Sequence, residues 1–239
     1  GVCYPDAQLQ DLLKQFEHDN SVIILTETTS NIASDKTINS IDQLIMPLSE
    51  VALKTLQPDL LLTFGGMVVS KKIKQYLRKQ PPKHHWHVDP ISSIDTYHCL
   101  TAYIDQTPAE FLPSLIEGTP TESSYKQEWL LEKEARSVQH QEYLDQIPFS
   151  DLKAFQHVLE SIPDNAQLQL SNSSIIRYAQ LFDVNDTLTV FCNRGTSGID
   201  GSTSTAIGAA LASQRQTVFI TGDLSFFYDA NALWNSYIP

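Results

Sequence analysis

The pattern of apolar and polar positions switches repeatedly between helical and strand periods in the first half of the chain. Apolar residues recur at helical spacing over 6–18, which predicts a helix, and the β-rich run after it predicts a strand over 21–26. The same reasoning predicts helices over 49–57 and 69–80 and strands over 60–64, 84–88 and 98–104. Alternation of this kind is typical of βαβ units around a parallel sheet.

The alternation stops near the middle of the chain and then resumes. Residues 107–124 contain three prolines, Pro108, Pro113 and Pro120, and show no period, whereas 125–144 are typical of a polar helix with few core positions. The second alternating region predicts helices over 149–162, 173–181 and 202–213 and strands over 167–170, 187–192 and 217–221. We therefore expect an α/β protein with a Rossmann-like parallel-sheet central domain at 1–118, an interdomain linker with a helix at 119–145, and part of a second α/β domain at 146–239.

Composition and charge exclude several classes of function. Of the 239 residues, 41% are apolar and 18% are charged, a balance that supports packed cores, and no window contains 18 consecutive apolar residues. The formal net charge of −12 opposes binding to nucleic acid or anionic lipid, so an anionic ligand would need local cations. The cysteines, Cys3, Cys99 and Cys192, form no Cys-x-x-Cys pair, which fits a reducing compartment. We expect a cytoplasmic protein without a membrane span.

A glycine-rich loop is the densest chemical signal in the sequence. Residues 193–201, Asn-Arg-Gly-Thr-Ser-Gly-Ile-Asp-Gly, have glycine at every third position and lie between a predicted strand and a predicted helix. Glycine permits positive φ and close approach to the backbone, and Ser202 or Thr203 could cap the helix that follows. Helix N-termini favour anions, so a diphosphate would suit this loop. A purely structural tight turn is the alternative.

A second signal is an acidic residue at the end of a predicted strand. The strand over 217–221 leads into Gly222-Asp223, and a helix is expected to continue through 229–235. Open α/β sheets bind ligands at the carboxyl ends of their strands, where a carboxylate can hold Mg²⁺ against phosphate oxygens. Considered alone, Asp223 fits a helix N-cap equally well.

Together, the two motifs resemble the cofactor-binding domain of thiamine-diphosphate enzymes, whose magnesium motif begins with Gly-Asp. More narrowly, the loop at 193–201, Gly-Asp-Leu-Ser-Phe at 222–226 and Asp229-x-Asn231-x-Leu233 resemble the 2-succinyl-5-enolpyruvyl-6-hydroxy-3-cyclohexene-1-carboxylate synthases of menaquinone biosynthesis. The resemblance implies a transferase that decarboxylates 2-oxoglutarate and adds the resulting succinyl carbanion to isochorismate, with thiamine diphosphate and Mg²⁺ or Mn²⁺ as cofactors. It is clearest over 170–235, and it implies that 146–239 form part of the thiamine-diphosphate-binding domain.

The resemblance also implies roles for individual residues. Asn172, Ser173 and Arg177 match the Asn-Ser-x-x-x-Arg segment of the family's substrate site, and Arg194 matches the arginine of Asn-Arg-Gly. Since the substrates are anionic, the two arginines suit bidentate pairing with carboxylates. Lys71 matches a family lysine proposed near the substrate, although the alternative is a solvated helix face. The expected cofactor contacts are Gly198, Ile199, Gly201, Gly222, Asp223 and Ser225, where Ile199 would support the bent cofactor and Asp223 would bind the metal.

The sequence departs from the family pattern at two points. A second magnesium ligand would fall after Pro239, and the glutamate that activates the cofactor belongs to a domain that would precede Gly1. We therefore expect the chain to be a fragment of a longer synthase, to be inactive alone and to bind thiamine diphosphate weakly or not at all. The parent is expected to be a homodimer or homotetramer that acts on the small molecules 2-oxoglutarate and isochorismate.

Two other functions remain open. Another thiamine-diphosphate enzyme, such as a 2-oxoacid decarboxylase or acetohydroxyacid synthase, shares the Gly-Asp motif, although two arginines favour dicarboxylate chemistry. A non-catalytic Rossmann-like binding module is supported by Phe64-Gly65-Gly66 at a strand end before a helix. His85 and His87 share one face of a predicted strand, but we find no third ligand for a metal and interpret them as core residues.

Overall fold

The computed structural model describes residues 1–116, 118, 122–236 and 238, in two compact units, Gly1–Asp145 and Gln146–Pro239. The helices of the first unit are α1 Ala7–Gln15, α2 Ile41–Ile45, α3 Glu50–Thr55, α4 Lys71–Lys79, α5 Pro108–Ile116 and α6 Tyr125–Gln146, and its strands are β1 Leu60–Phe64, β2 His84–Val88 and β3 Ala102–Ile104. The second unit contains α7 Asp151–Glu160, α8 Ser174–Ala179, α9 Ser202–Ser213 and α10 Asp223–Tyr228, with β4 Gln167–Leu170, β5 Thr189–Cys192 and β6 Thr217–Ile220. Short 3-10 turns occur at Phe16–His18, Thr28–Ser30 and Ala230–Leu233.

The first unit is built on a parallel sheet with strand order β1-β2-β3. Leu60 pairs with His84 at one end of β1, and Val88 pairs with Ile104 near the end of β3. The second unit has its own parallel sheet, with order β5-β4-β6. The predicted α/β class with parallel sheets is therefore confirmed.

Helical spacing places the apolar face of α4 in the core of the first unit. Ser70 caps the helix by accepting the Ile73 N–H, and Ile73, Tyr76 and Leu77 are buried on one face. Trp129 of α6 is buried in the same cluster, with 1% of its surface exposed. The polar helix expected in the interdomain connection therefore contributes a large side chain to this core.

Two local predictions in the first unit were wrong, and one short helix was missed. Residues 21–26 do not form a strand, because the run turns away at the Thr28–Ser30 turn and forms only an isolated bridge between Leu25 and Ile38. Residues 107–124 show no period and were interpreted as the start of an interdomain connection with no predicted element, yet α5 occupies the first part of this segment. Pro108 stands at its first position, where the missing N–H is not needed. Pro120 lies outside the described residues. The five-residue helix α2 was not predicted, since it is too short to show a period.

The second unit places one buried strand between two partly covered ones. All four residues of β4 are buried, whereas β5 and β6 are mostly half-buried. Because the strands are parallel, their carboxyl ends, Leu170, Cys192 and Ile220, lie at the same edge of the sheet. Within the described parts of both units, no helix has the length and apolar character needed to cross a membrane.

Candidate functional site

The carboxyl edge of the second sheet brings together most of the residues singled out in the sequence. The segment after β4 contains Asn172, the glycine-rich loop follows β5, and Asp223 follows β6. The Gly222 N–H donates a hydrogen bond to the Ser171 hydroxyl at 3.3 Å, which joins the segments after β6 and β4. Since β4 lies between β5 and β6, the segment containing Asn172 stands between the other two.

The Asn172 side chain is a buried junction of the loop. Its Nδ2 donates to the carbonyls of Asn193 at 2.6 Å and Gly198 at 2.7 Å, and its Oδ1 accepts from Arg194 Nη1 at 2.5 Å. Ser225, which is also buried, donates from its hydroxyl to the carbonyl of Ile199 at 2.5 Å. Five of the predicted site residues thus take part in these hydrogen bonds, Asn172 with Arg194 and Gly198, and Ser225 with Ile199.

Arg194 is held on one side and has an unused donor on the other. Its Nε is buried and has no hydrogen-bond partner in the described part of the chain. Cys192 donates from its thiol to the same Asn172 oxygen at 3.4 Å, and burial raises the pKa of this thiol to about 11. The thiol therefore stays protonated at neutral pH, and the guanidinium retains capacity to bind an anion.

Ser173 and Arg177 present exposed groups beside this junction. Ser173, just before α8, has φ 69° and ψ −125°, a conformation that a residue with a Cβ adopts only at an energetic cost. Arg177 lies in the last turn of α8 and is exposed, and its guanidinium has no hydrogen-bond or ion-pair partner among residues 1–116, 118, 122–236 and 238. A cation without a partner is well placed to bind an anionic ligand.

The predicted capping of α9 by Ser202 or Thr203 is wrong. The N-cap is Gly201, at φ 70°, and the Asp229 carboxylate accepts hydrogen bonds from the N–H and hydroxyl of Ser204, each at 2.7 Å. An ionised carboxylate is a stronger acceptor for helix N–H groups than a neutral hydroxyl. The Asp229 carboxylate therefore occupies part of the α9 N-terminus, where the sequence predicted that a diphosphate could bind.

Asp223 is exposed at the first residue of α10, and the N-cap is Gly222. Its Oδ1 accepts the N–H of Leu224 at 2.8 Å. Nowhere in the described ranges do three or more His, Cys, Asp or Glu side chains form a group able to hold a metal ion. Asp223 therefore offers one hard oxygen ligand, which fits Mg²⁺ or Mn²⁺ only if further oxygen ligands complete the coordination.

Two predicted features lie in the first unit. Lys71 is exposed in the first turn of α4. His85 and His87 are both buried, and both contact the Thr63 hydroxyl, through His85 Nε2 at 2.9 Å and His87 Nδ1 at 3.0 Å. The histidines thus belong to a buried polar cluster in the sheet, as the core interpretation predicts.

The Gly65-Gly66 turn in the first unit has a structural explanation. A Cβ on Gly65, at φ 78°, would lie 2.7 Å from Cys3 Sγ and 2.9 Å from the Val2 carbonyl oxygen. The adjacent N-terminus of α4 is occupied by the Glu27 carboxylate, which accepts the N–H groups of Val69 and Ser70. The glycines therefore make room for the chain itself, and this weakens the case for a nucleotide-binding module.

Comparison with known proteins identifies the family. A family model described as "Middle domain of thiamine pyrophosphate" matches residues 8–170. The chain belongs to this family. Curated relatives include proteins of Flavobacterium johnsoniae, 52% identical over 229 residues, Christiangramia forsetii, 49% identical over 245 residues, and Bacteroides thetaiotaomicron, 42% identical over 203 residues. All three are called 2-succinyl-5-enolpyruvyl-6-hydroxy-3-cyclohexene-1-carboxylate synthase.

These curated relatives are considerably longer than the chain. The alignments cover 95%, 100% and 83% of the chain but only 41%, 42% and 35% of the three relatives, respectively. The chain thus spans about two fifths of the length of the curated relatives it matches. The family resemblance seen in the sequence is confirmed.

Sequence reasoning missed two buried carboxylates, one in each unit, that accept backbone N–H groups. Asp229 was quoted only as part of a motif, yet it caps α9 through Ser204, which lies 25 positions earlier. Glu27 was not considered, although it binds the backbone just before α4, where Val69 lies 42 positions later in the chain. Each contact joins residues that are 25 or more positions apart, so no local sequence pattern indicates it.

Proposed function

We propose that the chain is part of a thiamine-diphosphate-dependent 2-succinyl-5-enolpyruvyl-6-hydroxy-3-cyclohexene-1-carboxylate synthase of menaquinone biosynthesis. This transferase would decarboxylate 2-oxoglutarate and add the succinyl fragment to isochorismate. The observation that carries the proposal is the convergence of Asn172, the loop at 193–201 and Asp223 at one sheet edge. The shared name of the relatives supports the same reaction.

Two arginines would recognise the carboxylates of the substrates. Arg194 has a buried Nε without a partner in the described chain, and Arg177 is exposed in the last turn of α8. Planar guanidinium groups pair bidentately with carboxylates, and both substrates are carboxylic acids. Ser173 would add a hydroxyl beside them. We assign Lys71 a role near the substrate only on the family match.

The cofactor would lie along the loop and the start of α10. Gly198, Gly201 and Gly222 would allow close approach, Ile199 would supply an apolar support, and Asp223 would be one oxygen ligand of Mg²⁺ or Mn²⁺. Thiamine diphosphate supplies the nucleophilic carbon and the electron sink that decarboxylation of a 2-oxoacid requires. The exposed position of Asp223 leaves room for the ligands that the described residues do not provide.

The whole protein is proposed to be a cytoplasmic homodimer or homotetramer. The segment after β6 exposes large apolar side chains, including Phe227 at 74% and Trp234 at 87%. Exposed large apolar side chains are frequent at protein interfaces. These side chains support burial against another part of the assembled enzyme.

The test is product formation by a protein that contains this chain within a full-length synthase. The assay supplies 2-oxoglutarate, isochorismate, thiamine diphosphate and Mg²⁺ and measures both substrates and the product by mass spectrometry. The proposal expects equal consumption of the two substrates. Decarboxylation of 2-oxoglutarate with isochorismate unchanged would indicate the 2-oxoacid decarboxylase alternative instead.

A further inference from the structure

Two side chains from different elements hold consecutive carbonyls of the glycine-rich loop. Asn172, after β4, donates to the Gly198 carbonyl at 2.7 Å, and Ser225, in α10, donates to the Ile199 carbonyl at 2.5 Å. Asn172 is 1% exposed and Ser225 is 3% exposed. We call these two side chains the loop clamp. They fix the two peptide groups on either side of the Ile199 Cα and therefore restrict where the Ile199 side chain can point.

The hydrogen-bonding capacity of Asn172 is fully used within the protein. The two protons on its Nδ2 go to the carbonyls of Asn193 and Gly198, and the two lone pairs on its Oδ1 accept from Arg194 Nη1 and the Cys192 thiol. The positions of Nδ2 and Oδ1 cannot be swapped by rotating the amide, because carbonyl acceptors face Nδ2 and a guanidinium donor faces Oδ1. No donor or acceptor of this amide is left for a ligand.

Ser225 has no donor left for a ligand. Its hydroxyl has one proton, which goes to Ile199, and the side chain is buried. The loop needs such support, because Gly195, Ser197 and Gly201 all have positive φ and three of its nine residues are glycine. Within the loop, the backbone hydrogen bond from the Ser197 N–H to the Arg194 carbonyl closes only one short turn.

We propose that Asn172 and Ser225 are positioning residues rather than substrate or cofactor ligands. Asn172 acts through Arg194, whose guanidinium it orients, and both clamp residues act through Ile199. This inference rests on the proposed function for its catalytic consequence. The restraint that the loop clamp places on the loop can be tested without any assay of activity.

The first experiment is hydrogen–deuterium exchange of the loop amides. Asn172→Ala and Ser225→Ala are each expected to increase exchange within 193–201 by about tenfold or more, the effect of losing one buried hydrogen bond. Gln167→Ala is the matched control. Gln167 is a buried amide in β4, the strand that precedes Asn172, and it donates to the Thr217 hydroxyl rather than to the loop, so its loss should leave 193–201 unchanged.

Unchanged loop exchange in both clamp variants would overturn the proposal. Ser225→Ala removes a single hydroxyl, so it carries this experiment even if Asn172→Ala does not fold. An equal increase in loop exchange in Gln167→Ala would also overturn the proposal. The increase would then reflect a general loss of stability of the second unit.

The second experiment is a double-mutant cycle in the full-length synthase. Asn172→Ala is expected to lower kcat/KM for 2-oxoglutarate about 10- to 100-fold, as expected for a misplaced binding group. Combined with Arg194→Ala, it should cause little further loss, because Asn172 acts through that arginine. Additive losses would contradict the positioning role. If the unmodified enzyme forms no product, the proposed function fails while hydrogen exchange still decides whether the clamp exists.

Discussion

The carboxylate of Glu27 accepts the backbone N–H of Val69 through both of its oxygens, at 3.0 and 2.8 Å. It also accepts the N–H of Ser70 at 2.7 Å, immediately before α4. Glu27 is 4% exposed, and its own N–H is bonded to the Ser30 hydroxyl. In open α/β sheets, this end of a helix is where ligand phosphates bind. In the first unit, an internal carboxylate stands there instead.

Glu27→Ala should destabilise the first unit by about 3 kcal/mol, because it leaves buried N–H groups without an acceptor. Tryptophan fluorescence during denaturant unfolding measures this effect. Trp129 is buried in the first unit, whereas Trp234 in the second is 87% exposed and should respond little. Sodium acetate should restore part of the lost stability relative to sodium chloride, by supplying a carboxylate.

The matched control is Glu50→Ala. Glu50 is an exposed acid in the first turn of α3 that pairs with exposed Lys79, and its removal should not shift the unfolding midpoint. Equal behaviour of the two variants would show that the Glu27 contacts contribute nothing to stability.

The buried histidines should make the first unit sensitive to mildly acidic pH. Burial lowers the pKa of both His85 and His87 below the usual 6.5, although Asp95 opposes the shift for His85 and Asp89 opposes it for His87. The folded unit therefore favours neutral rings, and unfolding takes up protons below pH 6.5. Stability should be constant with respect to these groups above about pH 6.5 and fall below it, by up to about 1.4 kcal/mol per pH unit for each histidine.

The measurement is the free energy of unfolding between pH 5 and pH 7.5. His85→Gln and His87→Asn keep a nitrogen or oxygen near Thr63 but do not titrate, and each should reduce the slope below pH 6.5. His84 in the same strand is exposed, and His84→Gln should leave the slope unchanged. A slope that persists in the double variant His85→Gln/His87→Asn would assign the pH dependence to other groups.

Ser173→Gly should stabilise the second unit by about 1 kcal/mol. The φ of 69° with ψ of −125° costs a residue with a Cβ about 1–3 kcal/mol, and the additional chain entropy of glycine offsets part of this gain. Ser174→Gly, at the next position in the first turn of α8, should destabilise instead, by up to about 1 kcal/mol. Thermal unfolding of the two variants decides the matter, and a loss of stability in both would show that Ser173 is not strained.

Arg177→Ala should impair use of the substrate and not folding. The guanidinium is exposed and makes no hydrogen bond or ion pair with the described residues, so stability should be unchanged, whereas KM for 2-oxoglutarate in the full-length synthase should rise about 10- to 100-fold. Activation by thiamine diphosphate should stay the same. Arg215→Ala is the control, since Arg215 is an exposed arginine that donates to Thr189 at the start of β5. Steady-state kinetics that match in the two variants would contradict a role for Arg177.

Local sequence patterns predicted much of the fold. The strand Gln167–Leu170 and the small-residue helix Ser202–Ser213 lie where the sequence predicted them. The strand alternates Gln and Leu, which fits the two-residue repeat of a strand, although all four of its residues are buried. The helix α5 was not predicted, because its prolines were read as breaks in a segment without a period. Proline is tolerated at the first position of a helix, where Pro108 lies.

The candidate site was predictable only as a set of residues. Asn172 and Gly198 are 26 positions apart, as are Ser225 and Ile199, and no local pattern specifies that the first residue of each pair holds a carbonyl of the second. Two motifs at the carboxyl ends of parallel strands predict proximity. The direction of each hydrogen bond depends on packing, so it required the structure.

The most direct test of the proposed coenzyme site is a metal titration of the full-length synthase carrying Asp223→Asn, with thiamine diphosphate and both substrates present. Asp223 should be a metal ligand, so the Mg²⁺ concentration for half-maximal activity should rise by about 100-fold or more. Asp186→Asn, an exposed acid in the same unit, should leave it unchanged. An unaltered Mg²⁺ requirement in Asp223→Asn would contradict the placement of the coenzyme at this edge of the sheet.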